Sequence, residues 1–280
     1  MVEDDPSYCT LYDVYEDHCD ATNMHKDDPL AYFIEKFKSN SNKATDVVSM
    51  KTEMLNLRLE INEEIAKNMV PANILSKYML RTLGSYTDYW MHRKQFIAQY
   101  ATATFMSYLF SVGHRTPHKI TISRKTGSVW MTELLPGWNQ NNPLLGNGET
   151  VPFRFTPNIQ DYITPVGVEG LFTSCLMATA RSLTEPDLEL DQYLSLFVRD
   201  ELITWHMSNH RSVTDAQFRE RVQANVTQVI TKAQFLSCKT ENDKTVNAEN
   251  PISQNVIDLI SQASNPQKMA QMECTWMPWL

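Results

Sequence analysis

Apolar residues recur at three- and four-residue intervals over most of the chain, so the pattern is first of all helical. From Val47 to Met69 the positions Met50, Met54, Leu57, Ile61 and Ile65 mark one face, and Pro71 ends the run. Leu30 to Phe37 predicts a short amphipathic helix with Tyr32, Phe33 and Phe37 on one side, and a polar loop from Ser39 to Thr45 follows. Ile74 to Leu83 predicts another helix, stopped at Gly84. Nearer the start, Tyr8, Leu11, Val14 and Tyr15 also fall at roughly helical spacing. Ser85-Tyr-Thr-Asp88 reads as a capping box opening a helix that runs to about Phe110. Tyr89, Phe96, Tyr100 and Ala103 form one stripe on it, and Ile97, Ala101 and Phe105 a second. A helix apolar on more than one face belongs in the middle of its domain.

The alternation comes next. After Gly113 and Pro117, Ile120 and Ile122 alternate with polar residues, a polar turn runs from Ser123 to Gly127, and Val129 to Met131 is apolar again. Two short strands about a Gly-containing turn predict a hairpin. Leu134 to Pro152, rich in Pro, Gly and Asn, is a long aperiodic loop. Helices then follow from about Val168 to Leu183, Leu190 to Trp205 and Asp215 to Phe235. The second buries Leu190, Leu194, Phe197, Val198, Leu202 and Trp205; the third uses Phe218, Val222, Val226, Val229 and Ile230. A polar linker covers 238–251. In the last segment, 252–280, Val256, Leu259, Ile260 and Ala263 mark a short helix broken at Asn265-Pro266. The tail that follows carries Trp276 and Trp279, side chains too apolar to be left in water, so it should dock. The expected fold class is α+β and predominantly helical, divided as 1–237, a linker, and 252–280.

Composition changes this picture little but excludes some functions. The 280 residues carry a net charge of −8 and 42% hydrophobic residues, ordinary for a globular chain and lacking the basic balance of a nucleic-acid surface. No apolar run approaches the length of a membrane span, and the start does not resemble a signal peptide. Five widely spaced cysteines suggest a reducing compartment. Cys9, His18, Cys19 and His25 lack a C-x-x-C pair, and His114 and His118 flank Pro117, so no metal site is expected. Asn225-Val-Thr227 matches a glycosylation sequon without a secretory signal.

The stretch GHRTPHKITISRKTGSVWMTE, Gly113 to Glu133, resembles the catalytic-loop hairpin of the phosphatidylinositol-3-kinase-like protein kinases. In that family the loop reads Gly-Asp-Arg-His-x-x-Asn and the second strand ends in Asp-Phe-Gly. Gly113 and Arg115 match; His114 stands where the base Asp belongs, Thr116 replaces the His, and Lys119 replaces the metal-binding Asn. Glu133-Leu134-Leu135 stands in for Asp-Phe-Gly. Phosphoryl transfer rests on magnesium held by the Asp and Asn oxygens, so Lys119 brings a cation to a site meant for one. Val151-Pro-Phe-Arg-Phe-Thr156 resembles the Pro-Phe-Arg-Leu-Thr element that closes the family's activation loop. Arg154 there is either a substrate contact or an anchor bonded to backbone or carboxylate. The ending Trp276-Met-Pro-Trp-Leu280 resembles the FATC element; the positions where some members place a disulfide are here Ala270 and Met277.

The resemblance extends over the whole chain and is strongest to a pseudokinase branch, through Val2 to Ser7, Asn68 to Pro71, Thr87 to Trp90, Arg93-Lys94, Pro157 to Ile159, Arg199 to Glu201 and Trp205-His206. That branch implies a nuclear, non-catalytic scaffold in SAGA/NuA4-type histone acetyltransferase complexes. Its partners would be complex subunits and transcription activators, with no cofactor, metal, nucleic acid or membrane. The alternative is a residual serine/threonine kinase or nucleotide-binding module, with His114 as base and Glu133 holding one magnesium, or a truncated paralogue. Because the resemblance begins beyond the kinase N-lobe, an exposed apolar surface is expected around Leu11 to Tyr15 and the first helices.

Overall fold

The computed structural model describes residues 5–40, 47–139, 144–146, 148–208, 214–237 and 254–280. Its centre is helix α5 (Tyr86–Leu109), in which Phe96, Ile97, Tyr100, Ala101 and Phe105 are all fully buried. Around it stand α1 (Leu11–Thr22), α2 (Asp28–Asn40), α3 (Val47–Asn68) and α4 (Ile74–Thr82) on the N-terminal side. After it come α6 (Pro157–Ile163), α7 (Thr173–Leu183), α8 (Leu190–Ser208), α9 (Asp215–Ser237), α10 (Gln254–Ser264) and α11 (Pro266–Ala270). The linker expected at 238–251 lies outside the described residues.

The predicted hairpin is present as β2 (Ile120–Ser123) and β3 (Val129–Met131), paired Ile120 to Met131 and Ile122 to Val129. Its turn is fixed from below: Gly127 has φ +78°, and a Cβ there would lie 2.3 Å from the His92 carbonyl oxygen. No other residue allows the turn so near to α5. A strand missed by the periodicity completes the sheet. Tyr8–Thr10 forms β1, antiparallel to β2 with Cys9 opposite Ile122, so β2 is the central strand. Tyr8 therefore is not helical. Helix α1 starts only at Leu11, where Thr10 Oγ1 accepts from the Asp13 amide at 3.0 Å and the Asp13 carboxylate accepts from the Thr10 amide at 2.8 Å. That is a full capping box. Ser85 caps α5 by accepting from the Asp88 amide, but Asp88 binds the Ser85 hydroxyl at 2.7 Å, so the predicted box is only half made.

The apolar surface expected to be exposed at Leu11 to Tyr15 is buried instead. Leu11, Val14 and Tyr15 are at most 1% exposed, because α1 lays that face on α4 and the sheet. The methionine stripe of α3 is core only at its C-terminal end: Ile61 and Ile65 are buried, Met54 and Leu57 only half so, and the Met50 side chain lies outside the described residues. The helix expected from Val168 begins instead as a π-helical turn, Gly167–Phe172, with non-helical geometry at Gly170, before α7 proper. On α8, Leu194, Val198 and Leu202 are buried as expected, whereas Phe197 is exposed and Leu190 and Trp205 are half-buried.

Buried polar groups tie these layers together, as buried donors and acceptors must be satisfied. Asn73, the residue before α4, makes no side-chain cap; Asn158 of α6 accepts the Ile74 amide at 2.9 Å in its place. His92 of α5 bonds Tyr162 Oη through Nδ1 at 2.7 Å and the Ser123 carbonyl through Nε2 at 2.8 Å. The carbonyl can only accept, so Nε2 carries the proton and the Tyr162 hydroxyl donates to Nδ1. Burial holds the His92 pKa below its ordinary value. Asn225, the sequon residue, is fully buried and accepts the Leu145 amide at 2.8 Å.

Candidate functional site

Helix α5 ends at Leu109 and delivers the chain into the loop Gly113 to Lys119, which the start of β2 follows. His114 takes a left-handed φ of +53°, and its amide donates to Glu149 Oε1 at 2.5 Å. The imidazole itself is exposed. Arg115 is 3% exposed and spends its guanidinium on backbone: Nε to the Gly113 carbonyl at 3.1 Å, Nη1 to that of Thr132 and Nη2 to that of Glu133, both at 2.7 Å. It thereby clamps the loop to the end of β3. Thr116, half-buried, precedes a 3₁₀ turn over Pro117–Lys119. His118 stacks on Tyr12, ring centroids 3.8 Å apart.

Lys119 and Glu133, the two positions that stand for metal ligands, face each other as an ion pair, Nζ to Oε2 2.5 Å. The hydrogen bond from Lys119 and its charge hold the Glu133 carboxyl below its ordinary range. Among the described residues no group of three or more His, Cys, Asp or Glu side chains could hold a metal ion. Of the four cysteine and histidine positions weighed near the start, Cys9 bonds the Ile122 carbonyl, His18 the Met69 carbonyl, Cys19 is buried and His25 is exposed.

Glu149 joins the site from outside the Gly113 to Glu133 stretch. It comes from the long loop, and burial pushes its carboxyl up from the ordinary value, opposed by the His114 amide. With His114, Thr116, Met272 and Trp276 it lines a cavity of about 260 Å³ between the loop and the tail. A lone Glu in an aperiodic Asn/Gly loop carries no sequence signal for such a contact.

Arg154 sits beneath this cavity, 1% exposed. Its Nη1 donates to the carbonyls of Arg115 at 3.2 Å and Trp276 at 2.6 Å; its Nη2 donates to the Met277 carbonyl at 2.8 Å and to the main-chain oxygen of Leu280 at 2.7 Å. The guanidinium lies 4.2 Å from the centre of the Trp276 ring, a cation–π contact. The Tyr100 hydroxyl holds the Arg154 carbonyl at 2.6 Å, which fixes the backbone against α5. Burial lowers the Arg154 pKa to about 10, so the side chain remains charged at neutral pH. Trp276 and Trp279 are 3% and 2% exposed, and Trp279 also meets Phe33 of α2 at 6.1 Å. Both indole N–H groups are buried without an acceptor among the described residues, a cost set against their apolar burial.

A helical lobe closed around a short hairpin, with the Gly113 to Lys119 loop on one side of that hairpin and a docked tail against it, is the architecture of the C-terminal lobe of a protein-kinase-like fold. The chain belongs to the phosphatidylinositol 3- and 4-kinase family, whose family model matches residues 1–207, and an FATC domain matches residues 249–280. Among curated proteins it is 35% identical to the SAGA complex/NuA4 acetyltransferase complex subunit Tra1 of Schizosaccharomyces pombe, over 100% of this chain and 8% of that protein. It is 33% identical to the corresponding Saccharomyces cerevisiae subunit, over 100% of this chain and 8% of that one. The human transformation/transcription domain-associated protein is 27% identical over 100% of this chain, which spans 7% of it. Among solved structures, the FAT and kinase domain of CtTel1 superposes with a TM-score of 0.58 at 18% identity, covering 89% of this chain and 16% of that one, a likeness of fold.

Proposed function

We propose that the chain is a non-catalytic pseudokinase lobe of the Tra1/TRRAP type, a nuclear scaffold within SAGA/NuA4-type histone acetyltransferase complexes that regulate transcription. The carrying observation is the Lys119–Glu133 ion pair at 2.5 Å, which sets an ammonium where a kinase needs a divalent cation. His114 is exposed and its amide is spent on Glu149, while Arg115 serves only backbone carbonyls. The similarity over the full chain to relatives named as complex subunits supports the same reading. On this reading residues 1–237 form the lobe and 252–280 the FATC element, joined through Arg154. Complex subunits and transcription activators are its partners, with no part for nucleic acid or membrane.

A second reading, a residual serine/threonine kinase, has one observation in its favour. The chain is 27% identical over 61% of its length to the serine/threonine-protein kinase TEL1 of Yarrowia lipolytica. Affinity purification of the tagged chain from nuclear extract separates the two. The scaffold reading expects acetyltransferase-complex subunits by mass spectrometry, held equally by wild type and a Glu133→Ala variant. A chain recovered alone from the extract overturns it.

A further inference from the structure

Helix α8 is apolar on two faces. Leu194, Val198 and Leu202 are buried, with α9 packed alongside. On the outer side Tyr193, Leu196, Ile203 and Met207 are 67%, 55%, 40% and 73% exposed. With Asp200 between them, these positions alternate steps of three and four residues, so they form one stripe about 21 Å long. A helix that is apolar all round is a buried helix, and one side of this one is open among the described residues.

We propose that the outer face of α8 docks an amphipathic helix of a partner protein, with an apolar seam at heptad spacing and a basic block at the end that meets the turn before α8. The charges define the partner. Asp187, Glu189 and Asp191 are exposed at the N-terminal end of the stripe, and the exposed Asp200 stands at its midpoint. Asp200 is paired with Arg199 at 3.0 Å, on the surface beside the stripe. A second copy of this chain fits poorly. A two-fold pairing of antiparallel α8 helices centred on the stripe desolvates two Asp200–Arg199 pairs and sets Asp187, Glu189 and Asp191 against the last turn of α8, Thr204 to Ser208, which has no Lys or Arg. A partner helix with its basic block at one end meets Asp187, Glu189 and Asp191 with the opposite charge, while Asp200 keeps Arg199, which favours encounter and fixes direction. The inference rests on α8 alone and does not depend on the acetyltransferase reading.

The test uses two synthetic amphipathic peptides of about six helical turns, both with Leu at the seam positions, one with a Lys block at one end and one with a Glu block. Fluorescence anisotropy with the full chain should show the Lys-block peptide binding at least about tenfold more tightly than the Glu-block peptide. A Tyr193→Ser/Met207→Ser variant should lose that binding while keeping the wild-type circular dichroism melt, since these are the two most exposed side chains of the stripe, at 67% and 73%. Three results overturn the proposal: equal affinity for the two peptides, binding that survives the double substitution, or no binding of either. A concentration-dependent dimer in sedimentation velocity, abolished by the same variant, also overturns it by making a second copy the occupant.

Discussion

Two ion-bearing regions lie on either side of the Gly113 to Lys119 loop, and they are built to opposite rules. Above it, Lys119 and Glu133 pair at the surface, Lys119 half-buried and Glu133 open, their side chains 24% and 64% exposed. Below it, Arg154 is enclosed, charged, and bonded to four main-chain oxygens drawn from the loop and the tail. An exposed pair contributes little to stability because water and salt already screen it. A buried guanidinium whose two terminal nitrogens hold four main-chain oxygens is costly to disturb, because each freed oxygen is then left unpaired in low dielectric, even though its Nε is buried without a partner among the described residues. The fold thus relies on the junction between loop and tail, and the positions that would hold a catalytic metal are left with a pair the fold can lose.

The largest effect is expected at Arg154. Arg154→Met keeps the side chain's bulk but strands the main-chain oxygens of Trp276, Met277 and Leu280, and should cost on the order of 4 kcal/mol. Denaturant unfolding followed by tryptophan emission checks this, because Trp276 and Trp279 should become more wetted before the helices melt. Trp276→Ala, which removes the ring under the guanidinium, should cost about 3 kcal/mol. If either variant unfolds at the wild-type midpoint, the tail is not held by this junction.

A smaller effect should appear with pH. The folded-state pKa of His92 lies below its ordinary 6.5 because of burial. Its contribution is therefore complete above about pH 6.5 and is lost as pH falls, since the unfolded chain takes up the proton first. Glu149 works the other way. Its folded pKa is raised above 4.5, so the folded state holds that proton more tightly and gains stability as pH falls through the raised value. In a Glu149→Gln background the melting temperature should drop between about pH 7 and pH 5, and His92→Gln should flatten that drop. A profile unchanged by the His92 substitution contradicts the neutral, doubly bonded imidazole.

The smallest effect belongs to the exposed pair. Lys119→Ala should leave the melting temperature unchanged within error. Neither magnesium nor manganese with ATP should shift the wild-type melt, and no phosphotransfer above buffer should be seen. Metal-dependent turnover that disappears in Glu133→Ala reverses the contrast, making the exposed pair the functional region and Arg154 its support.

Much of this could be read along the chain, and the misses have common causes. The long periodic runs that became α3, α5 and α9 were legible because a single helix face repeats over many turns. The hairpin was legible from its alternation and its Gly127 turn. Tyr8–Thr10 was not, because a three-residue strand shows no period and is defined only by its partner β2. The buried face of α8 was legible at Leu194, Val198 and Leu202 but its width was not. With apolar residues on both sides, the pattern cannot say where the α9 contact stops, and Phe197 lies at the edge, 38% exposed and packed on Phe110 at 5.1 Å.

What the sequence determined by itself was the long helices and the hairpin, the identity of the groups in the Gly113 to Glu133 stretch, and the apolar tail. Those are local properties: periodicity, turn chemistry and residue type act within a few positions of the chain. The tertiary structure alone decided which main-chain oxygens Arg154 would hold. Its partners Arg115, Trp276, Met277 and Leu280 lie 39 to 126 positions away. It also decided that Glu149 would seal the loop and that Asn158 would cap α4. Hydrogen bonds of this kind are set by which buried donor is left without water when the layers close, and nothing local in the chain records that.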